Sequence, residues 1–189
     1  MKVSSNLLLD DIIHQLEQYI TQASGFKSLP ASILNWRAAD NSWSILECLE
    51  HLSLYADFYV PAIRKAIKET RHRSPVSVFQ SGWLGNYFAK SMLPKEKLNK
   101  MKTFKDKNPL GSNLDLSAID RFIDLHRELL DLARQAKKVD LNKTKTGISI
   151  TKLLRLRLGD TFRFVVNHVN RHMVQAQRVL DTQPAALPA

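Results

Sequence analysis

Cysteine is almost absent from this sequence, since Cys48 is the only one among 189 residues. An intrachain disulfide is therefore impossible, which excludes a small domain stabilised by disulfides. Glycine and proline are also scarce, with six and seven residues, which excludes collagen-like and linker-like compositions. A chain of 189 residues can bury a substantial hydrophobic core without a structural metal. We therefore expect a single globular domain over residues 1–189.

Long apolar runs are missing as well. No stretch of about 18 uncharged apolar residues occurs, which predicts that no segment spans a bilayer. The first residues reach Asp10 after only three leucines, which is too short for the apolar region of a signal peptide. Together with the single cysteine, this pattern favours a cytoplasmic protein.

Acidic residues are outnumbered, because 28 Lys and Arg oppose 18 Asp and Glu for a net charge of +10. The excess of positive charge lies in two segments. Residues 71–114 carry nine basic and two acidic side chains, and residues 141–189 carry eight basic and two acidic side chains. Six lysines fall within residues 95–107: Lys95, Lys97, Lys100, Lys102, Lys105 and Lys107. This lysine-rich loop has one aromatic residue, no arginine and no recognised nucleic-acid motif. It therefore indicates a solvated loop, or an electropositive rim that attracts an anionic small substrate, rather than nucleic-acid binding.

Helical periodicity is what the sequence does contain, with apolar residues recurring at spacings of three and four. Four segments show it, at about residues 5–23, 44–67, 117–138 and 149–180. Ser44 and Glu47 form a capping-box pair at the start of the second segment. No alternating strand pattern of comparable length competes. The sequence thus predicts an all-α protein, a four-helix bundle that buries the four apolar stripes together.

A long connection, about residues 71–114, joins the second and third helices, whereas ordinary bundle loops have about 2 to 8 residues. We expect this insert to be partly ordered, with a short helix at about residues 83–92, where apolar and aromatic residues concentrate. Its length lets the third helix start at either end of the bundle. The last residues, about 182–189, are expected to form a disordered tail.

Two histidines lie one helical turn apart in the fourth segment, in the sequence N-H-V-N-R-H-M-V-Q. His168 and His172 share one helix face there, about 5 to 6 Å apart at Cβ, which suits two imidazoles that bind one cation. A third ligand would have to come from another helix, and the candidates are His51, His126 and Cys48. His51 is the best placed of them, because it lies beside the apolar stripe of the second helix.

The residues near this pair also have ordinary structural interpretations. A small buried hydrophobic residue is the favoured interpretation of Cys48, and a hydrogen-bonded core residue is the favoured one for His126. Glu47 and Glu50 could orient His51 or accept a proton, although both also suit a cap or a solvated surface. Surface or inter-helix contacts are the ordinary interpretation of the polar residues that flank the pair: Asn167, Asn170 and Arg171.

Two segments carry a resemblance to a known family: W-S-I-L-E-C-L-E-H-L, which opens the second helix, and N-H-V-N-R-H-M-V-Q-A-Q-R-V-L, which closes the fourth. They resemble the DinB-like superfamily, whose members are four-helix bundles that hold a divalent metal ion. In that family one histidine of the second helix and a His-x-x-x-His pair of the fourth bind the ion. The resemblance implies His51, His168 and His172 as metal ligands, with zinc or nickel as the ion. The insert departs from the shorter family members and inherits nothing from them.

The resemblance also implies a range of functions. The superfamily includes thiol S-transferases that use low-molecular-weight thiols, a maleylpyruvate isomerase and proteins called metal-dependent hydrolases. It therefore implies a metal-dependent thiol S-transferase or hydrolase that acts on a small molecule, with a low-molecular-weight thiol as a candidate partner. The alternatives are a non-catalytic metal-binding or stress-associated bundle and, less favoured, a nucleic-acid binder that uses the lysine-rich loop. The sequence leaves a homodimer open.

Overall fold

Helices dominate the computed structural model, which describes residues 1–94 and 103–183. Four long helices form the bundle: α1 (Ser5–Phe26), α3 (Ile45–Glu69), α5 (Ser117–Ala136) and α6 (Leu158–Asp181). Two short helices accompany them: α2 (Ala31–Leu34) and α4 (Trp83–Ser91). The described part also contains a short 3₁₀ helix (Lys105–Lys107) and two small antiparallel sheets: β1 (Lys2–Ser4) with β2 (Val78–Gln80), and β3 (Lys145–Ile148) with β4 (Thr151–Arg157). The predicted all-α class and four-helix bundle are confirmed.

Some of the sequence expectations concern residues outside the described part. Four of the six lysines of the lysine-rich loop lie outside the described residues: Lys95, Lys97, Lys100 and Lys102. Residues 184–189 of the expected tail lie outside as well. Within the described ranges, no helix combines the length and the apolar character that crossing a membrane requires.

The start of α3 is fixed by the capping box that the sequence predicts. The hydroxyl of Ser44 accepts a hydrogen bond from the Glu47 backbone N–H at 3.2 Å. The Glu47 carboxylate in turn accepts one from the Ser44 backbone N–H at 2.8 Å. These two bonds satisfy backbone donors that would otherwise lack partners at a helix start. They also set the register of α3, which places His51 in its second turn on the buried face.

The order in which the long helices pack decides which of them are neighbours. Helices α1 and α3 each pack against both α5 and α6. The apolar stripes meet in one core, to which each long helix contributes fully buried side chains, among them Leu16, Leu49, Phe122 and Phe162. Helix α3 therefore lies beside α6, although both the insert and α5 separate the two along the chain. This adjacency brings the second and fourth helices of the bundle together.

The beginning of the last long helix is the main difference from the sequence prediction. Helix α6 begins at Leu158 rather than near residue 149, because residues 145–157 form the hairpin of β3 and β4. Leu156 in β4 is buried whereas the adjacent Arg155 is exposed, because successive side chains of a strand point to opposite faces. The prediction of a helix from residue 149 was therefore wrong over its first turns.

Part of the insert packs on α6 through a buried aspartate. Asp160, in the first turn of α6, is completely buried and accepts hydrogen bonds from the Ser81 hydroxyl and from the Gly82 backbone N–H. Arg163 donates to the same carboxylate at 3.2 Å. A Cβ atom on Gly85 would lie 2.4 Å from the Asp160 side chain, so only glycine permits this approach of α4. The short helix expected in the insert is thus present and is fixed to the helix that carries the histidine pair.

Candidate metal centre

Three buried histidines from two helices meet at one place. His51 lies on α3, and His168 and His172 lie one turn apart on α6. Because α3 and α6 are neighbours, the three rings face one another, with ring centroids 4.6 to 5.1 Å apart. One nitrogen from each ring lies within 4.8 Å of the other two. The three histidines that the resemblance singles out therefore form one cluster.

Hydrogen bonds on the outer side of the cluster determine which ring nitrogen points inward. The Nδ1 atom of His51 lies 2.6 Å from the backbone oxygen of Lys107. A carbonyl oxygen can only accept, so Nδ1 carries the proton. The Nδ1 atom of His172 likewise donates to the Gln175 side-chain oxygen at 2.9 Å. In both rings the Nε2 lone pair is consequently available as a ligand atom.

The spacing of the inward nitrogens suits a single tetrahedral cation. The Nε2 atoms of His51 and His168 lie 3.2 Å apart. Zinc binds imidazole nitrogen at about 2.0 to 2.1 Å, so two ligands of one tetrahedral ion lie about 3.3 Å apart. Imidazole donors suit zinc, nickel and related ions better than magnesium or calcium, which prefer oxygen. The residues present therefore fit a divalent ion of the zinc type.

Burial keeps these imidazoles neutral. It lowers the pKa of His51 to about 4, although the hydrogen bond to Lys107 opposes the shift. Burial, together with the neighbouring imidazoles, moves the pKa of His168 and of His172 well below the ordinary histidine value. A metal ion binds only neutral imidazole. At neutral pH the cluster is thus already in the protonation state that binding requires.

A cavity of about 670 Å³ opens on the cluster, and all three histidines line it. This volume lies within the range of about 300 to 1,000 Å³ that is typical of small-molecule sites. The indole of Trp43 covers one side of the cluster, with its ring centroid 4.4 Å from that of His51. Apolar side chains form much of the wall: Trp43, Met92, Phe104, Leu110, Ile150 and Phe164. The site can therefore receive a small molecule with an apolar portion.

The two other candidate ligands lie elsewhere in the bundle. Cys48 is completely buried in the hydrophobic core. His126 donates from Nδ1 to the Phe122 backbone oxygen at 2.7 Å and stacks on the Phe122 ring at 3.8 Å. Both residues therefore have the core positions that their structural interpretations describe.

Neither of the carboxylates considered for His51 orients that ring. Glu47 accepts two hydrogen bonds from the Arg37 guanidinium, at 2.7 and 2.8 Å. Glu50 accepts one from Arg121 at 2.6 Å. The hypothesis that Glu47 or Glu50 orients His51 is therefore wrong, because both carboxylates are engaged by arginines.

Sequence reasoning missed three contributors to the site. Gln175 lies three residues after His172, and a search for polar partners at helical spacing would have found it. Arg171, interpreted from the sequence as a surface or inter-helix contact, is only 5% exposed and lines the cavity. The backbone oxygen of Lys107 could not be predicted from the sequence, because every residue has a backbone oxygen. Where this oxygen lies depends on the path that the insert takes.

Comparison with known proteins agrees with this architecture. The sequence profile of the DinB superfamily matches residues 13–176, which is most of the chain. The chain belongs to the DinB superfamily. Among solved structures, this DinB-superfamily protein is similar to YfiT from Bacillus subtilis, with a TM-score of 0.55 and 16% identity over 90% of this chain and 85% of that one. YfiT is described as a probable metal-dependent hydrolase with an unusual four-helix bundle topology. No curated protein matches the sequence.

The Gln175 side chain is expected to strengthen metal binding in this DinB-superfamily protein. We predict that Gln175→Ala weakens zinc binding about 10- to 100-fold, because the His172 ring loses the acceptor that orients it. Competition with a chromogenic chelator measures the affinity. Gln177→Ala is the matched control, since Gln177 lies on the same helix and bonds Gln22 and Asp181 instead. Equal zinc affinity for wild type and Gln175→Ala would contradict the orienting role.

The single cysteine of this DinB-superfamily protein is expected to be unreactive. Burial raises the pKa of the Cys48 thiol, so almost no thiolate forms at neutral pH. We predict that a chromogenic disulfide reagent titrates no thiol in the native protein and the single cysteine after unfolding in guanidinium chloride. Rapid reaction of the native protein would show that Cys48 is accessible. Because Cys48 is the only cysteine and is buried, a thiol-transfer reaction at the cluster needs a thiol from outside the chain.

Proposed function

We propose that this protein is a metal-dependent enzyme in which His51, His168 and His172 hold one divalent ion, zinc or nickel. The reaction is hydrolysis or thiol S-transfer on a small molecule. The observation that carries the proposal is the cluster of three buried imidazoles, which opens on a cavity large enough for a substrate. Membership of the DinB superfamily supports it, as does the fold shared with YfiT, which is described as a probable metal-dependent hydrolase.

The number of ligands favours a catalytic site over a structural one. Structural zinc sites use four protein ligands, whereas catalytic sites use three and leave one position open. In the part of the chain that the structure describes, the group consists of three histidines and contains no fourth His, Cys, Asp or Glu. The presence of three rather than four ligands therefore supports an enzyme over a non-catalytic bundle in which the metal ion is only stored or structural.

The residues of the chain prepare the site for such a reaction. When bound, a divalent ion with an open position lowers the pKa of water to about 7 or keeps a thiol as thiolate. The Lys107 oxygen and Gln175 hold two of the rings in the tautomer that presents Nε2. Trp43 lies against His51 and His172, and it excludes water from that side of the cluster. The cavity then positions the substrate beside the three rings.

Metal analysis of the untagged protein tests the proposal directly. We expect about one divalent ion per chain after purification or after incubation with zinc or nickel. Two assay panels then separate the reactions: esters and amides for hydrolysis, and electrophiles with low-molecular-weight thiols for transfer. Activity in either panel that is lost with a chelator and restored by the ion supports an enzyme. A chain that binds no stoichiometric metal, or activity that survives complete metal removal, would contradict the proposal.

A further inference from the structure

One wall of the cavity is a short stretch of the insert, residues 104–111, which we call the strap. It contains the 3₁₀ helix Lys105–Lys107. Phe104, Asn108 and Leu110 of the strap line the cavity. The two apolar residues among them, Phe104 and Leu110, are nevertheless 49% and 39% exposed. The strap therefore covers the cavity without being buried itself.

The first attachment of the strap is to a histidine of the cluster. The backbone oxygen of Lys107 accepts a hydrogen bond from Nδ1 of His51 at 2.6 Å. When His51 binds an ion through Nε2, the ring becomes more positive and its N–H becomes a stronger donor. Charge-assisted hydrogen bonds are roughly twice as strong as neutral ones. Occupation of the cluster therefore strengthens the bond that holds the strap over the cavity.

The second attachment runs through an aromatic side chain. The indole N–H of Trp43 donates a hydrogen bond to the Asn108 side-chain oxygen at 3.1 Å. The same indole packs against His51 and His172, with its ring centroid 4.4 and 5.4 Å from theirs. An ion that fixes both imidazoles also fixes the surface against which Trp43 packs. Asn108, and with it the strap, is consequently held more firmly as well.

The C-terminal end of the strap is held independently of the cluster. The Gly111 backbone N–H donates a hydrogen bond to the Glu47 carboxylate at 2.6 Å. Gly111 has a φ of +82°, in the left-handed region that favours glycine. This end remains attached to the bundle whatever the state of the histidines. Loss of the contacts at the cluster would therefore free residues 104–108 and leave the turn at Gly111 in place.

We propose that the strap and the cluster are coupled: the strap is held over the cavity when the three histidines bind a divalent ion, and it opens more often when they do not. The Lys107 oxygen and Asn108 transmit the coupling. Substrate then binds better to the loaded protein, because the wall that Phe104 and Leu110 contribute is in place. The coupling rests on the metal binding of the proposed function and is independent of which reaction the protein catalyses.

Hydrogen–deuterium exchange followed by mass spectrometry tests the coupling without an activity assay. Residues 104–111 should exchange about 3- to 30-fold more slowly in the zinc-loaded wild type than in the metal-free protein. A hydrogen bond from a charged donor exceeds a neutral one by about that factor in the equilibrium constant. Residues 137–144 are the internal reference, because Asp140 bonds His72 beyond the far end of α3. Their exchange should be equal in both states.

Asn108→Ala tests the coupling from the opposite direction, because it removes the acceptor of the Trp43 indole. Coupling between two sites is reciprocal, so a weaker strap weakens zinc binding. We expect zinc affinity to fall about 3- to 10-fold and the zinc-induced slowing over residues 104–111 to shrink. Asn108→Asp keeps an acceptor oxygen and should restore the slowing. Asn113→Ala is the matched control, since Asn113 is an exposed asparagine of the same insert.

Three results would overturn the coupling and leave the proposed function standing. The first is stoichiometric zinc binding with unchanged exchange over residues 104–111. The second is an equal slowing over residues 137–144, which would indicate stabilisation of the whole bundle. The third is undiminished zinc affinity in a folded Asn108→Ala protein. A wild type that binds no zinc would contradict the coupling and the proposed function together, and elemental analysis distinguishes that case from the other three.

Discussion

His172→Ala is expected to abolish stoichiometric metal binding. After equilibration with zinc and removal of free ions, the untagged wild type should hold about one ion per chain and the variant less than about a tenth of one. The substitution leaves two imidazoles, on different helices, and a pair of ligands holds zinc far less tightly than three. His51→Ala and His168→Ala are expected to have the same effect, because each supplies one of the three converging nitrogens. Elemental analysis by mass spectrometry gives the ratio.

An exposed histidine provides the control for these variants. His14 lies on the outer face of α1, where its ring bonds Gln18 at 3.0 Å. His14→Ala should retain about one ion per chain, because it leaves the cluster intact. Circular dichroism establishes that each variant is folded before its metal is counted. A folded His172→Ala protein with a full complement of zinc would refute the ligand assignment.

Glu47→Ala is expected to destabilise the fold by about 3 to 5 kcal/mol, which corresponds to a fall in melting temperature of about 6 to 20 °C. The Glu47 carboxylate is completely buried and accepts two hydrogen bonds from Arg37. It also accepts one each from the backbone N–H groups of Ser44 and Gly111. Alanine removes all four interactions and leaves a guanidinium and two N–H groups without this acceptor. Urea unfolding followed by circular dichroism measures the loss.

The matched control lies at the other end of the same helix. Glu69 is exposed in the last turn of α3, so Glu69→Ala should change the free energy of unfolding by no more than about 0.5 kcal/mol. A Glu47→Ala protein as stable as Glu69→Ala would show that the buried carboxylate contributes nothing to the fold.

The contribution of Glu47 should also depend on pH. Burial alone would raise the pKa of Glu47, but hydrogen bonds from Arg37 and from the Ser44 and Gly111 backbones outweigh burial and lower it from 4.5. A carboxyl with a lowered pKa in the folded state stabilises the fold above its unfolded value, and it loses that effect as the pH falls through the folded value. The stability difference between wild type and Glu47→Ala should therefore shrink on acidification below about pH 4.5. A difference that stays constant would contradict the ionic role.

Local patterns were sufficient to predict the bundle. The three-and-four spacing predicts α1, α3 and α5 within a few residues of their ends, because each helix buries one continuous apolar stripe. The same spacing misled at residues 149–157, where Leu154 and Leu158 are also four apart. The outcome there depends on pairing with residues 145–148, and such pairing is a non-local interaction that a helical pattern does not contain.

The three histidines of the cluster were predictable from the sequence, and their surroundings were not. The family resemblance of two helix segments implied His51, His168 and His172, and the packing of α3 against α6 brings them together. The capping role of Glu47 was visible from Ser44, but its bonds to Arg37 and Gly111 were not, because both partners lie outside α3 and meet Glu47 only through the fold. Contacts that depend on tertiary structure do not appear as a periodic pattern in the sequence.

The hydrogen bond between His51 and residue 107 has a consequence for how this protein can change by mutation. Its acceptor is a main-chain oxygen, which every amino acid supplies, so no single codon change at position 107 deletes it. The lysine side chain there can be exchanged while the imidazole keeps its partner. A change in the orientation of the His51 ring would instead require a change in the backbone path near residue 107, through an insertion, a deletion or altered backbone angles. Side-chain variation in the loop and retention of the histidine geometry are thus largely independent of one another.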